Sequence, residues 1–252
     1  MQINSSTNYL TPNFSAKAVV PKFKKATKDG WKVHSKLNVQ CGSDKVTLAS
    51  TCEKSCSSNH INITTKIKNL CGKIMGDYHY LIDPKTNTIN NGYIQTNPQF
   101  RHKGVAEVMR LSSIMELKEN HISAIEIDAL PEAIQFHSKY NFEPNLKGKF
   151  SASRVLDRIT KLPKVSKEDK ATANKLLERI NTERPPYTPA LKPDDKKDVN
   201  NFISDYLVNH EKDWKDANFD CVLPMKLTSE QVNKHSDFFN NLYQKHGINY
   251  VV

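Results

Sequence analysis

The part of the chain that most restricts its fold is the stretch from 89 to 120. A β-prone run, Ile89 to Asn97, stops at Asn97-Pro98, and soon afterwards apolar residues recur at helical spacing: Val105, Val108, Met109, Leu111, Ile114, Met115 and Leu117. Between the two stands Arg101-His102-Lys103-Gly104. A strand, a tight loop and a helix in this order predict an α/β chain.

The loop has a chemistry of its own. The first amides of a helix lack intrahelical partners and the helix dipole adds partial positive charge, so a helix start suits an anion. Gly104 lets the backbone approach a ligand with no Cβ in between, and Arg101, His102 and Lys103 add charge or donors; the amides of Val105 and Ala106 open the helix. A pyrophosphate is the expected guest.

Downstream lie a second β-run, Ala124 to Leu130, and the segment Pro131-Glu132-Ala133-Ile134-Gln135-Phe136-His137-Ser138-Lys139-Tyr140-Asn141-Phe142. Over residues 60–146 this arrangement resembles the GNAT superfamily of acyl-CoA N-acyltransferases. In that family the strand ends in V-x-P-x-aromatic and is followed by Q/R-x-x-G-x-G/A; Thr96, Pro98, Phe100, Arg101, Gly104 and Ala106 stand at those positions. Ala133, Phe136, Lys139 and Phe142 match the later A-x-x-F-Y-x-K-x-G-F pattern, while His137 replaces its tyrosine and Asn141 its glycine. Asparagine is the next best residue for a left-handed backbone.

The resemblance implies a mixed, mostly antiparallel sheet flanked by helices, whose two halves splay to admit the pantetheine arm of acetyl-CoA beside Ile94, Gln95 and Thr96. It implies acyl transfer to an amine acceptor, with Arg101 to Ala106 on the cofactor's diphosphate. His137 stands at the position of the usual acid that serves the departing thiolate, and Tyr140, three residues along the same helix, is the substitute. The family often uses a strand glutamate as base, yet no acid lies between Ile89 and Pro98. Asp77, His79, Glu126 and Asp128 are the nearest titratable groups, and none is assigned. The competing expectation is an inactive domain of the same shape that binds CoA, RNA or a protein.

Charge bears on the partners. The net charge is +10, with the excess concentrated ahead of the loop, which attracts anions such as CoA phosphates or RNA. No basic stripe interleaved with aromatic residues is present, so nucleic acid is admitted but not favoured. There is no apolar stretch long enough to span a bilayer and no secretion signal near the start, so no membrane partner is expected and a cytoplasmic location is. Five irregularly spaced cysteines point to reduced thiols. Cys52, Cys56, His60 and Cys71 fit no common zinc pattern, and no metal is expected.

The expected organisation is a flexible arm at 1–16, an acyltransferase-like domain at 17–150 and a helical C-terminal extension at 151–252. The domain should begin with an early hairpin, with turn signals at Asp29-Gly30 and Gly42-Ser43-Asp44, and continue, past a loop or helical turn at 50–59, into strands at 61–67, 74–82 and 89–96. Helices are expected from Ser166 to Thr182, from Asp195 to His210 and from Thr228 to a stop at Gly247, with a proline-marked linker at 185–193.

Overall fold

Alternation decides the sheet. From Ile74 to Asp83, Tyr78, Tyr80 and Ile82 are buried while Asp77, His79 and Leu81 face outward, the period of a strand with one covered face. The computed structural model describes residues 22–27, 30–55, 59–181, 190–210 and 221–252. It is a mixed α/β fold with a mostly antiparallel sheet flanked by helices.

Strands β1 (Lys22–Thr27), β2 (Gly30–Cys41), β3 (Asp44–Ser55), β4 (Ile61–Asn69), β5 (Ile74–Asp83) and β6 (Thr88–Thr96) form a continuous antiparallel meander. The turn at Gly42 is as expected. The loop expected at 50–59 is instead strand as far as Ser55, because Ser50 to Lys54 pair with both β2 and β4. Cross-strand hydrogen bonding there outweighs the low apolar content.

After β6 come a 3-10 turn, Pro98–Phe100, and α1 (Val105–Glu119), which returns the chain to β7 (Ala124–Ala129). β7 runs parallel to β6 but pairs with it only at Thr88↔Ala124 and Ile89↔Ile125. Beyond Ile89 the two strands part. A register shift between His79 and Leu81, opposite Gly92, bends β6 at this point. Gly92 is needed there, since a Cβ would lie 2.7 Å from the Tyr78 hydroxyl.

A second 3-10 turn, Pro131–Ala133, leads into α2 (Ile134–Ser138) and the short strand β8 (Glu143–Pro144). Asn141 adopts φ 60, the left-handed backbone that its position requires. Helices α3 (Lys149–Thr160), α4 (Lys167–Asn181) and α5 (Pro193–Asn209) follow. Ser166 caps α4 through the Asp169 amide at 2.9 Å. Pro193 opens α5 rather than belonging to a linker, its missing N–H harmless in a first turn. Arg179 joins α4 to α5 through Asp195 at 2.6 Å and Asp198 at 2.9 Å. Asn200 holds the amide and carbonyl of Leu146 at 2.8 and 3.2 Å, fixing α5 beside β8.

The C-terminal region differs from the purely helical extension expected. Strand β9 (Leu223–Thr228) inserts between β7 and β8, pairing antiparallel with both, so residues beyond 150 complete the sheet. Its burial alternates with Leu223, Met225 and Leu227 inward. The last expected helix is two, α6 (Ser229–Lys234) and α7 (Ser236–Lys245), broken at His235. The capping box of Thr228 and Gln231 is formed, and Gly247 at φ 63 ends the run. The expected arm at 1–16, Cys56 and residues 185–189 lie outside the described residues.

Helix α1 is the centre of the molecule. Tyr243 on α7 donates a hydrogen bond to the Leu111 carbonyl at 3.0 Å, so α1 has the sheet on one side and α7 on the other. Besides its apolar stripe it therefore buries Glu107, Arg110, Ser112 and Ser113. Among the described residues no helix is long and apolar enough to cross a membrane, and no group of three or more His, Cys, Asp or Glu side chains could hold a metal ion.

Candidate active site

The parting of β6 from β7 opens a cleft of about 690 Å3. Ile94, Thr96, Arg101, His102, Gly104, Val105, Ala106, His137 and Tyr140 all line it, together with Gly92, Phe100, Asp128, Glu132, Phe136, Lys139 and Lys245. Two expected residues stand outside. Gln95 is exposed and is not in the lining. The Lys103 ammonium is turned away to Asp44, 2.9 Å distant. Alternation along β6 explains the first, and an available carboxylate at the start of β3 the second.

The turn into α1 is shaped by its residues. The Asn97 side chain accepts from the Gln99 amide at 3.2 Å and holds the proline-led 3-10 turn. Gly104 takes φ 78 at the N-cap position, where an L side chain is strained, and no side chain caps the helix. Along β6 the edge past Ile89 pairs with no strand among the described residues. Thr96 contributes a buried Oγ1 with no hydrogen-bond partner. A helix start without a cap, an unpaired strand edge and an orphaned hydroxyl along one cleft fit a long ligand with a phosphate end and an amide-bearing arm.

Beneath the turn lies a charge cluster that the sequence did not announce. Glu107, in the first turn of α1, sits 2.6 Å from Lys245 Nζ, 2.6 Å from His246 Nε2 and 3.4 Å from Lys139 Nζ. Tyr140 donates its hydroxyl to the same carboxylate at 2.5 Å. Burial alone would raise the Glu107 pKa, but the hydrogen bonds from His246, Lys245 and Tyr140 outweigh it and hold the carboxyl well below the usual range. A negative charge at a helix start would otherwise repel a phosphate. Here Lys139 and Lys245, both in the cleft wall, answer it.

The acid candidates are set differently. His137 is buried, with Nδ1 3.3 Å from the Arg110 guanidinium. Burial and then the Arg110 charge push its pKa down to about 2, so the ring is neutral near neutral pH. The Tyr140 pKa is raised, first by burial and then by its bond to Glu107, so its proton is held by a carboxylate. No base is apparent on β6. Asp128 and Glu132 are the acids of the outer lining, and His79 is paired with Asp77 at 3.0 Å, outside it.

Solved structures that resemble about a third of this chain include acetyltransferases. Spermidine N-acetyltransferase from Vibrio cholerae, in complex with CoA and spermine, is 12% identical over 34% of this chain and 53% of its own, with a TM-score of 0.31. A GNAT-family acetyltransferase from Staphylococcus aureus Mu50 is 18% identical over 33% and 54%, and an N-acetyltransferase from the same strain 20% over 33% and 53%, both with a TM-score of 0.30. The match spans about half the length of these structures. No protein-family model matches the sequence, and neither does any curated protein. At such identities and partial overlaps the functional reading rests on the geometry of the cleft.

Proposed function

We propose that the chain is an acyl-CoA-dependent N-acyltransferase that uses acetyl-CoA and an amine acceptor. The observation that carries this reading is the continuity of the cleft, which joins the uncapped start of α1 to His137 across the parted edge of β6. The amides of Val105 and Ala106, with Arg101 and His102, would hold the diphosphate. Ile94 and Thr96 would lie along the pantetheine arm, leaving the thioester near His137. Holding thioester and amine together makes their reaction effectively intramolecular, which is most of what such a transfer requires. An unpaired strand amide would stabilise the carbonyl oxygen as the amine attacks.

Calorimetry with CoA tests the site. Micromolar or tighter binding is expected, and Arg101→Glu should weaken it on the order of tenfold, because an exposed cation at the phosphate end becomes a repelling anion. Binding of wild-type protein that Arg101→Glu leaves unchanged would remove the diphosphate from this turn. Thiol release from acetyl-CoA with hydroxylamine, a small unhindered amine, tests the transfer itself.

A further inference from the structure

Arg110 is the least expected side chain in the core. It is fully buried, yet among the described residues no carboxylate lies within ion-pair distance of it. The oxygens of Glu107, one turn earlier, are taken by Lys139, Lys245, His246 and Tyr140. The guanidinium instead lies 5.3 Å from the Tyr78 ring centroid and 4.8 Å from that of Phe142. One terminal nitrogen donates to the Tyr78 hydroxyl at 2.8 Å and the other faces His137 Nδ1 at 3.3 Å, while Nε has no partner among the described residues. Removing a charge from water without an opposite charge costs several kcal/mol, so a buried unpaired cation calls for a use.

A guanidinium only donates. Nδ1 of His137 must therefore accept, which places the ring proton on Nε2, and Nε2 has no protein partner among the described residues although His137 lines the cleft. We propose that Arg110 is a positioning residue that fixes His137 as a neutral Nε2–H donor facing the cleft and sets a buried positive charge behind it. A carboxylate behind an imidazole makes it a better base; a guanidinium makes it a better hydrogen-bond donor. The low pKa of His137 agrees with this, as does the lack of any acid on the ring among the described residues.

The use of this donor rests on the acyltransferase reading. As the amine nitrogen bonds to the carbonyl carbon, the carbon–sulfur bond breaks and its electron pair stays on sulfur. Nε2–H stabilises that charge through a hydrogen bond and keeps its own proton, since a neutral imidazole is too weak an acid to release it. The proton that ends on sulfur is one that the attacking amine sheds. His137 is then neither the general base nor a cationic acid.

The tautomer can be read without any turnover. In full-length protein carrying 15N-labelled histidine, with His137 assigned by the signals lost in His137→Gln, Nε2 should be protonated and Nδ1 bare from about pH 8 down to about pH 5. In Arg110→Met the ring should begin to titrate at higher pH, with Arg110→Lys in between. A proton on Nδ1 in wild-type protein, or a titration that Arg110→Met leaves in place, overturns the proposal; the first of these needs no variant to fold. Thiol release with hydroxylamine should fall on the order of 100-fold in kcat for Arg110→Met, with KM for acetyl-CoA nearly unchanged and partial rescue by Arg110→Lys. An unchanged kcat overturns the role assigned at sulfur. Failure of wild-type protein to release thiol would sink the acyltransferase reading instead, leaving the tautomer result to stand by itself.

Discussion

His246 Nε2 lies 2.6 Å from Glu107 Oε1, joining residues 139 positions apart beneath the start of α1. The other ring nitrogen lies 2.5 Å from the Gln40 carbonyl on β2, so the ring bridges β2 and α1. The same ring supports the turn above it: a Cβ on Gly104 would approach His246 Cε1 to 2.9 Å. The turn into α1 is thus braced by a residue from the far end of the described chain.

Glu107→Gln should be costly, because it puts a neutral amide in place of the buried carboxylate that His246, Lys245 and Tyr140 share. The expected loss is on the order of 3 to 5 kcal/mol, read from urea unfolding. Combining it with His246→Gln should recover part of that loss, since two amides can hydrogen-bond to each other. Strict additivity of the two would show that the pair is not coupled.

Gly104→Ala should lower stability by about 1 to 2 kcal/mol for its left-handed backbone and should weaken CoA binding as the turn shifts away from His246. Adding His246→Ala removes the contact but not the backbone strain, so it should restore only part of the affinity. Full recovery in the double variant would place the whole effect in the contact.

Tyr140→Phe should affect stability more than turnover. It removes a donor from a buried carboxylate, a loss of about 1 to 3 kcal/mol, whereas its proton is committed to Glu107 and not offered to a leaving group. A drop of on the order of 100-fold in kcat at unchanged stability would instead make Tyr140 the acid.

Stability should fall with acidity in a way that His137 explains. Its folded pKa, about 2, is below the ordinary 6.5, so the unfolded chain binds a proton that the folded one refuses. The contribution is complete above 6.5 and is lost as pH falls below it, at up to about 1.4 kcal/mol per pH unit. Glu107, also depressed, adds a second loss only below its ordinary 4.5. Urea midpoints should therefore decline between pH 6.5 and 4.5 in wild-type protein and much less in His137→Gln. Equal slopes would mean that His137 is protonated in the fold.

What could be read from the sequence follows from how local each feature is. The meander, the turn and α1 were legible because strand alternation, Pro98 and the helical recurrence from Val105 to Leu117 lie within a few residues of each other. β9 was not: LPMKLT is short, contains a proline and has no hairpin partner, and pairs with residues more than 80 positions earlier. Arg110 and Glu107 read as the polar side of an amphipathic helix, because nothing local tells that Tyr78, His137 and Phe142 enclose the first while Tyr140, Lys245 and His246 meet the second. Lys245 and His246 were missed for the same reason, being brought to the site only by the tertiary fold.

The position of β9 has a consequence for synthesis. Until residues 223–228 emerge from the ribosome, β7 lacks the neighbour that separates it from β8, and Glu107 has neither of the partners that follow at 245 and 246. A nascent chain could lay down its meander early, yet the first turn of α1 would stay without its support from Lys245 and His246 until those two residues had been made.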